Sequence, residues 1–161
     1  MDEPITIRRA DLDSETDAAA YLAMLDAYAS DPMGDGKPLP DDVRERLVPG
    51  LRAHPTTLVW LALAGDRPVG VLTAFVGFST FKAKPLINLH DVAVMPEARG
   101  RGVARQLLAA VEEHARATGC CRLTLEVLQG NPAKRLYESI GFHQAEHANG
   151  AGGALFYVKA I

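Results

Sequence analysis

The sequence has few cysteines, no long apolar run and no excess of positive charge. Its two cysteines, Cys120 and Cys121, are adjacent, so they cannot form an ordinary disulfide framework and lack Cys-x-x-Cys spacing. No run of 18 apolar residues predicts a transmembrane helix, and the acidic start 1–4 has no apolar signal segment. The 17 Lys and Arg against 20 Asp and Glu give a formal charge of −3, which argues against general binding of nucleic acid. We therefore expect a cytoplasmic protein with no membrane, nucleic-acid or metal partner.

The length and composition are those of one globular domain. The chain has 161 residues, of which 48% are hydrophobic and 23% are charged. A domain of this size buries about two-thirds of the surface that its unfolded chain exposes, so a full hydrophobic core needs no disulfide or metal. We expect a single domain over residues 1–161.

Hydrophobic periodicity predicts alternating strands and helices. Alternation of period two indicates strands, whereas apolar residues three and four apart indicate helices. The predicted order is β-α-α-β-β-β-α-β-α-β-β, with strands at 5–9, 56–64, 68–77, 86–95 and 122–128, helices at 14–30, 42–53, 102–118 and 132–140, and a last hairpin from 143–147 and 155–161. This order predicts a mixed α/β sheet with helices on its faces.

The most informative segment is the strand, turn and helix from Leu89 to Ala104. The turn contains Gly100 and Gly102 between arginines at 99, 101 and 105. A glycine turn and a helix N-terminus expose backbone N–H groups, which suit a phosphate or pyrophosphate. The alternative is a plain surface turn with solvated arginines, because short glycine motifs are weak signals. The dinucleotide pattern G-x-G-x-x-G does not fit, since position 105 is arginine, and no P-loop Gly-Lys-Ser/Thr is present.

Two motifs resemble those of one enzyme superfamily. Arg99-x-x-Gly102-x-Ala104 resembles the R/Q-x-x-G-x-G/A acyl-CoA motif of the general-control-related N-acetyltransferase (GNAT) superfamily. The segment from Asn131 to Phe142 resembles its second signature, N-x-x-A-x-x-x-Y-x-x-x-G-F. Here the alanine stands one place early and one residue fewer separates the asparagine from Tyr137.

The resemblance implies a fold and an activity. The implied fold is a mostly antiparallel α+β sheet of about seven strands with about four helices and one splayed pair of strands. The implied activity is transfer of an acetyl group from acetyl-CoA, a co-substrate, to a primary amine by direct attack in a ternary complex. The alternative is a non-catalytic acyl-CoA-binding or sensing domain of the same fold. Dimers are frequent in the superfamily, so a homodimer is compatible with the resemblance.

The resemblance also implies which residues bind acetyl-CoA. The turn amides would hold the pyrophosphate, and the preceding strand would pair with the pantetheine arm, with an amide near Val92 polarising the thioester carbonyl. The implied binding residues are Val92, Ala93, Val94, Arg99, Gly100, Arg101, Gly102, Val103, Ala104, Asn131 and Tyr137.

Three residues are candidates for proton transfer. By resemblance, Tyr137 is the general acid at the CoA sulfur, and its alternative role is core packing. His90 can accept a proton near neutral pH, either directly or through a water relay, or it is a structural histidine of the sheet. Asp91 should face away from His90 in a regular strand, unless a bulge turns both to one face. Glu126 is an alternative base or a structural residue.

The amine acceptor is open. Superfamily acceptor sites are commonly bounded by the first two helices, the loop between them and the last hairpin. In that loop Asp31 and Asp35 lie near Tyr28, and Phe78 and Phe81 precede the strand of His90. Acidic and aromatic groups together suit a cationic amine, but aspartate and glycine are also ordinary loop residues.

Overall fold

The computed structural model describes residues 3–145. These residues form five strands and four helices: β1 Ile5–Arg9, α1 Glu15–Ser30, α2 Asp41–Ala53, β2 Thr57–Ala64, β3 Arg67–Ser79, β4 Lys84–Val94, α3 Val103–Ala117, β5 Leu123–Leu125 and α4 Ala133–Ser139. None of the helices within 3–145 has the length and apolar character needed to cross a bilayer. The chain divides after Glu126 into two compact units.

The first unit is built on one sheet with the strand order β1-β2-β3-β4-β5. The first four strands are antiparallel, and β5 pairs with β4 in parallel. This confirms the mixed, mostly antiparallel sheet. The described part contains five strands rather than about seven, because the predicted last hairpin falls mainly on residues 146–161, outside the described residues.

The helices α1 and α2 pack on one face of the sheet. Ser14 begins α1, where its side chain accepts a hydrogen bond from the Asp17 N–H. The core on this face joins α1, α2 and alternate residues of β2 and β3, namely Tyr21, Met24, Leu25, Val48, Val59, Leu61 and Val71. Because side chains alternate along a strand, Thr73 and Phe75 share this face with Val71.

The helix α3 packs on the opposite face. Its buried stripe at Val103, Leu107, Leu108, Val111 and Ala115 has the spacing predicted from the sequence. The backbone approach is close at Gly70, where a Cβ atom would lie 2.9 Å from a methyl carbon of Val103 and 3.1 Å from Ala62 Cβ. The absence of a side chain at Gly70 therefore sets how closely α3 lies against β3.

Strand β4 carries an irregularity in its middle. Leu89 pairs with Ala74 and Asp91 pairs with Thr73, so His90 has no partner residue on β3. This is a β-bulge, with one extra residue on β4. The parallel pairing with β5 also ends here, at Leu89 and Leu125. The splayed pair is therefore confirmed, and β5 is shorter than the predicted 122–128 because its pairing with β4 stops at Leu89.

The described part of the second unit contains α4. The Asn131 side chain accepts a hydrogen bond from the Ala133 N–H at 2.9 Å, and its backbone carbonyl accepts one from Lys134. This is the capping interaction expected of asparagine before Pro132. None of the α4 residues is buried.

Candidate active site

The turn between β4 and α3 exposes backbone N–H groups. One turn of 3-10 helix, Pro96–Ala98, is followed by Gly100 and Gly102 with φ angles of 76° and 74°. These left-handed angles favour glycine, and no atom lies within 4 Å of a Cβ built at either position. The first turn of α3 is closed by the Gln106 N–H donating to Gly102 O, so the amides of Val103 and Ala104 have no partner within the helix.

The side chains of Arg99 and Arg101 in this turn are held by hydrogen bonds to other parts of the chain. The Arg99 Nε–H donates to Val94 O at 3.1 Å, and its terminal nitrogen lies 2.6 Å from an Asp31 carboxylate oxygen. Arg101 donates to the Glu3 carbonyl at 2.7 Å. Positive charge, open space and helix-terminal amides therefore meet at one place, which fits a pyrophosphate.

Beyond Leu89, the outer edge of β4 has no strand partner among the described residues, although the Val94 carbonyl accepts a hydrogen bond from Arg99. Val92, Ala93 and Val94 pair with β3 on one side, and the pairing of β4 with β5 on the other side ends at Leu89. An exposed strand edge offers N–H and C=O groups that an amide-containing chain can pair with. This edge leads directly into the turn, so the residues fit the pantetheine and pyrophosphate parts of acetyl-CoA.

The bulge places His90 and Asp91 on the same face of the sheet. The His90 ring lies 5.4 Å from the Phe75 ring, and Asp91 is the cross-strand neighbour of Thr73. Both of these β3 residues face α1 and α2. The sequence expectation that a bulge would be needed to turn both side chains to one face is therefore met in the described strand.

Asp91 belongs to a hydrogen-bonded group beneath α1. The Thr73 hydroxyl bonds to the Asp91 carboxylate, and the Tyr21 hydroxyl lies 3.0 Å from Thr73 Oγ1. Burial raises the pKa of Asp91, while the charge of His90 and the bond from Thr73 lower it in part. Burial also raises the pKa of Tyr28, and the charge of Asp91 raises it further. Sequence reasoning missed Thr73 and Tyr21, because only the register of β3 and β4 brings them to Asp91.

The other predicted residues are distributed as follows. His90 is exposed, and Asn88 donates to Thr124 at 3.1 Å. Glu126 follows β5 and is exposed. Asn131 and Tyr137 lie in the second unit, where the Tyr137 ring contacts the Phe142 ring at 6.0 Å. No group of three or more His, Cys, Asp or Glu side chains within 3–145 is arranged to hold a metal ion.

A sheet splayed at a bulged strand, followed by an amide-lined turn, is the arrangement that the resemblance to the acyl-CoA-dependent superfamily implies, and comparison with known proteins agrees. Residues 21–142 match the model of the Acetyltransferase (GNAT) family. The chain belongs to this family.

Individual relatives support this placement. The chain is 36% identical over 87 residues to the thialysine N-epsilon-acetyltransferase of Bos taurus, which covers 53% of this chain and 51% of that protein. The chain spans about half the length of the curated relatives it matches. A solved structure of a probable acetyltransferase is 30% identical, with a TM-score of 0.75 over 96% of this chain and 99% of that one. The fold is also shared with AAC(6')-Iy, solved with a bisubstrate analogue, CoA-S-monomethyl-acetylneamine, at 20% identity and a TM-score of 0.75 over 98% of this chain and 99% of that one.

Proposed function

We propose that this protein is an acetyl-CoA-dependent N-acetyltransferase acting on a primary amine in a ternary complex. The observation that carries the proposal is the bulge of β4, which turns His90 and Asp91 to one face directly before the outer edge at 92–94. A domain that only binds acyl-CoA needs the edge and the turn, but it does not need two titratable groups beside them. The bound co-substrate supplies an acetyl group activated as a thioester.

Two groups of residues bind different parts of the co-substrate. The turn from Arg99 to Ala104 holds the pyrophosphate through backbone amides, with charge from the arginines. The outer edge at Val92, Ala93 and Val94 pairs with the amides of the pantetheine arm. A backbone N–H near Val92 donates to the thioester oxygen and stabilises the negative charge that develops there. We also assign Asn131 to this binding set, from its motif.

Two proton transfers accompany the reaction. The amine attacks as a neutral nucleophile, so it must lose protons, and we assign their removal to His90 or Asp91, directly or through a water. The departing CoA sulfur gains a proton, which we assign to the Tyr137 hydroxyl from its motif. The acetyl–sulfur bond breaks as the acetyl–nitrogen bond forms, so the products are an amide and the CoA thiol.

Ligand-linked stability tests the binding half of the proposal. Thermal unfolding is followed with acetyl-CoA and, as a control, with NAD. A ligand at about 100 times its dissociation constant adds about 2.7 kcal/mol, which raises the Tm of a domain of this size by roughly 5–10 °C. A rise with acetyl-CoA but not with NAD is expected. Equal Tm shifts with the two ligands, or no shift with either, would contradict the assignment of the turn to acetyl-CoA binding.

Catalysis is tested by release of the CoA thiol with amines, comparing Tyr137→Phe with the natural chain. The variant should lose about 10²–10⁴-fold in kcat, the usual contribution of general acid catalysis, while its Kd for acetyl-CoA is nearly retained. An unchanged kcat across the pH range would exclude Tyr137 as the acid. Tight binding of acetyl-CoA without turnover of any amine would favour the non-catalytic alternative.

A further inference from the structure

A groove lies between α2 and the sheet, on the face that carries His90 and Asp91. Its helical wall is the stripe at 43, 46, 47, 50, 51 and 54, where residues three and four apart face the same way. Its other wall is Thr56 together with Phe75 and Val76 of β3. The cavity has a volume of about 610 Å³, which is within the range of small-molecule sites.

One aromatic side chain lies between the groove and the candidate proton acceptor. Phe75 lines the groove, and its ring lies 5.2 Å from the His54 ring and 5.4 Å from the His90 ring, edge to face in both cases. The three rings therefore form a row from the groove to the bulge of β4. A molecule held against Phe75 can present a polar end at His90.

The low charge of the groove lining favours some classes of amine over others. Among the described residues that line the groove, none is a carboxylate and only Arg46 has a permanent charge, paired with Asp42 at 2.5 Å. A polyamine or an aminoglycoside carries several positive charges, each of which needs a carboxylate or water when it leaves bulk solvent. The side chains Val43, Leu47 and Leu51 instead favour an apolar body.

Asp31 does not supply the missing charge. It is one of the two loop carboxylates predicted to suit a cationic amine, but its carboxylate pairs with Arg99 and accepts a hydrogen bond from the Met33 N–H. Arg99 and Met33 hold the pKa of Asp31 below its usual value. This carboxylate is therefore directed at the turn assigned to acetyl-CoA.

We infer that the acceptor is a primary monoamine carried on an apolar, ring-sized body, which this groove holds while the nitrogen reaches His90. The inference rests on the proposed acetyl transfer and adds the class of its acceptor. It distinguishes this chain from enzymes that recognise polycationic amines, since recognition here comes from apolar contact and one amine.

The test measures kcat/KM by CoA-thiol release with phenethylamine, spermidine and the aminoglycoside kanamycin. We expect kcat/KM for phenethylamine to exceed the other two values by roughly tenfold or more. One methylene group more or less in an apolar pocket already changes kcat/KM by about 10–200-fold. A preference for spermidine or kanamycin would overturn this inference and leave the transferase proposal standing. Failure of every amine would defeat the transferase proposal, and the inference with it.

Variants of α2 locate the site. Gly50 lines the groove, and a Cβ built there meets no atom within 4 Å, so Gly50→Leu adds bulk without a clash. We expect KM for phenethylamine to rise by at least about tenfold on the same scale, while KM for methylamine and Kd for acetyl-CoA stay unchanged. The matched control is Ala53→Leu, an exposed position of α2 outside the groove lining. Equal effects of the two substitutions on phenethylamine would place the acceptor elsewhere.

Discussion

The pKa of Asp91 is raised by burial and lowered in part by the charge of His90 and by the Thr73 hydroxyl. Thr73 lies opposite Asp91 across the strand pair, and its hydroxyl lowers the pKa of Asp91. The Tyr21 hydroxyl lies 3.0 Å from Thr73 Oγ1, and either hydroxyl can be the donor. Burial, His90 and Thr73 together therefore set how readily Asp91 takes up a proton.

Replacing Thr73 by valine tests this arrangement. Thr73→Val keeps the shape but removes the donor to Asp91, so the pKa of Asp91 should rise beyond its already raised value. The other titratable groups facing Asp91 are His90 of β4 and Tyr21 and Tyr28 of α1, and of these Tyr21 also loses its hydrogen-bond partner in this variant. We expect the acidic limb of kcat/KM to move to higher pH. The measurement is the pH profile of amine acetylation.

Thr73→Ser is the control, because serine retains the hydroxyl and should restore the natural profile. A valine profile that superimposes on the natural one would show that Asp91 does not control the reaction. A fall in kcat at all pH values without a shifted limb would indicate a structural role only.

The same carboxyl predicts a pH-dependent stability difference. Because burial raises the pKa of Asp91 in the folded state, the folded chain binds more protons than the unfolded chain above the ordinary aspartate pKa of 3.8. This group's contribution is therefore fully favourable below that value and is lost as pH rises through its folded pKa. Asp91→Asn has no titrating carboxyl at this position, so it does not lose stability in this way as pH rises. The Tm of the variant minus the Tm of the natural chain should therefore increase with pH from about 4 upward.

Thermal unfolding over a pH series measures this difference. Asp35→Asn, at an exposed position of the loop between α1 and α2, serves as the control and should show no such trend. A Tm difference for Asp91→Asn that does not vary with pH would contradict the raised pKa.

At the scale of elements, Arg99 joins the turn before α3 to the loop after α1. The ion pair with Asp31 is partly exposed, with 53% of the arginine side chain accessible, and such pairs contribute little to stability. An anion bound at the turn could therefore replace Asp31 as the partner of Arg99 at little cost in stability. If the turn binds the pyrophosphate as proposed, Asp31 competes with it for Arg99.

Removing the negative charge of Asp31 should strengthen binding of CoA. In Asp31→Asn the amide oxygen can still accept from the Met33 N–H, but Arg99 is released and no carboxylate faces the phosphates. We expect Kd for CoA, measured by calorimetry, to fall several-fold with little change in Tm. Weaker binding would instead mean that Asp31 holds Arg99 in its binding orientation. Asp35→Asn again controls for loss of one charge.

The elements show how far the sequence could predict this molecule. The apolar stripe of α3 predicted residues 102–118 against the observed Val103–Ala117, and Ser14 predicted the start of α1. These signals are local in the chain. The bulge at His90 and the meeting of Thr73 with Asp91 depend on the register between two strands, which no single segment encodes. The groove could not be predicted either, since it forms only when α2 packs beside Phe75.

At the scale of the whole molecule, the buried side chains of the described residues lie in the first unit. In the first unit α3 contributes five buried side chains and lies against the sheet. In the second unit α4 has seven residues and none of them is buried. Helices this short are marginal without tertiary packing. Within residues 3–145, the segment that carries the second motif is therefore held by fewer buried apolar side chains than the sheet and α3.

Hydrogen exchange measures this difference along the chain. In the free protein we expect the α4 amides to exchange at least about tenfold faster than those in the middle of α3. The free energy of local opening ranges from near zero to that of global unfolding, and it is low where few side chains are buried. If Asn131 and Tyr137 contact acetyl-CoA as proposed, saturating acetyl-CoA should slow α4 exchange more than exchange in β1, with NAD as the control. Free-protein α4 amides as slow as those of α3 would contradict the unequal stability. If acetyl-CoA slows amide exchange at Gly100 but not in α4, the result would support binding of the pyrophosphate at the turn and would contradict the assigned role of Tyr137.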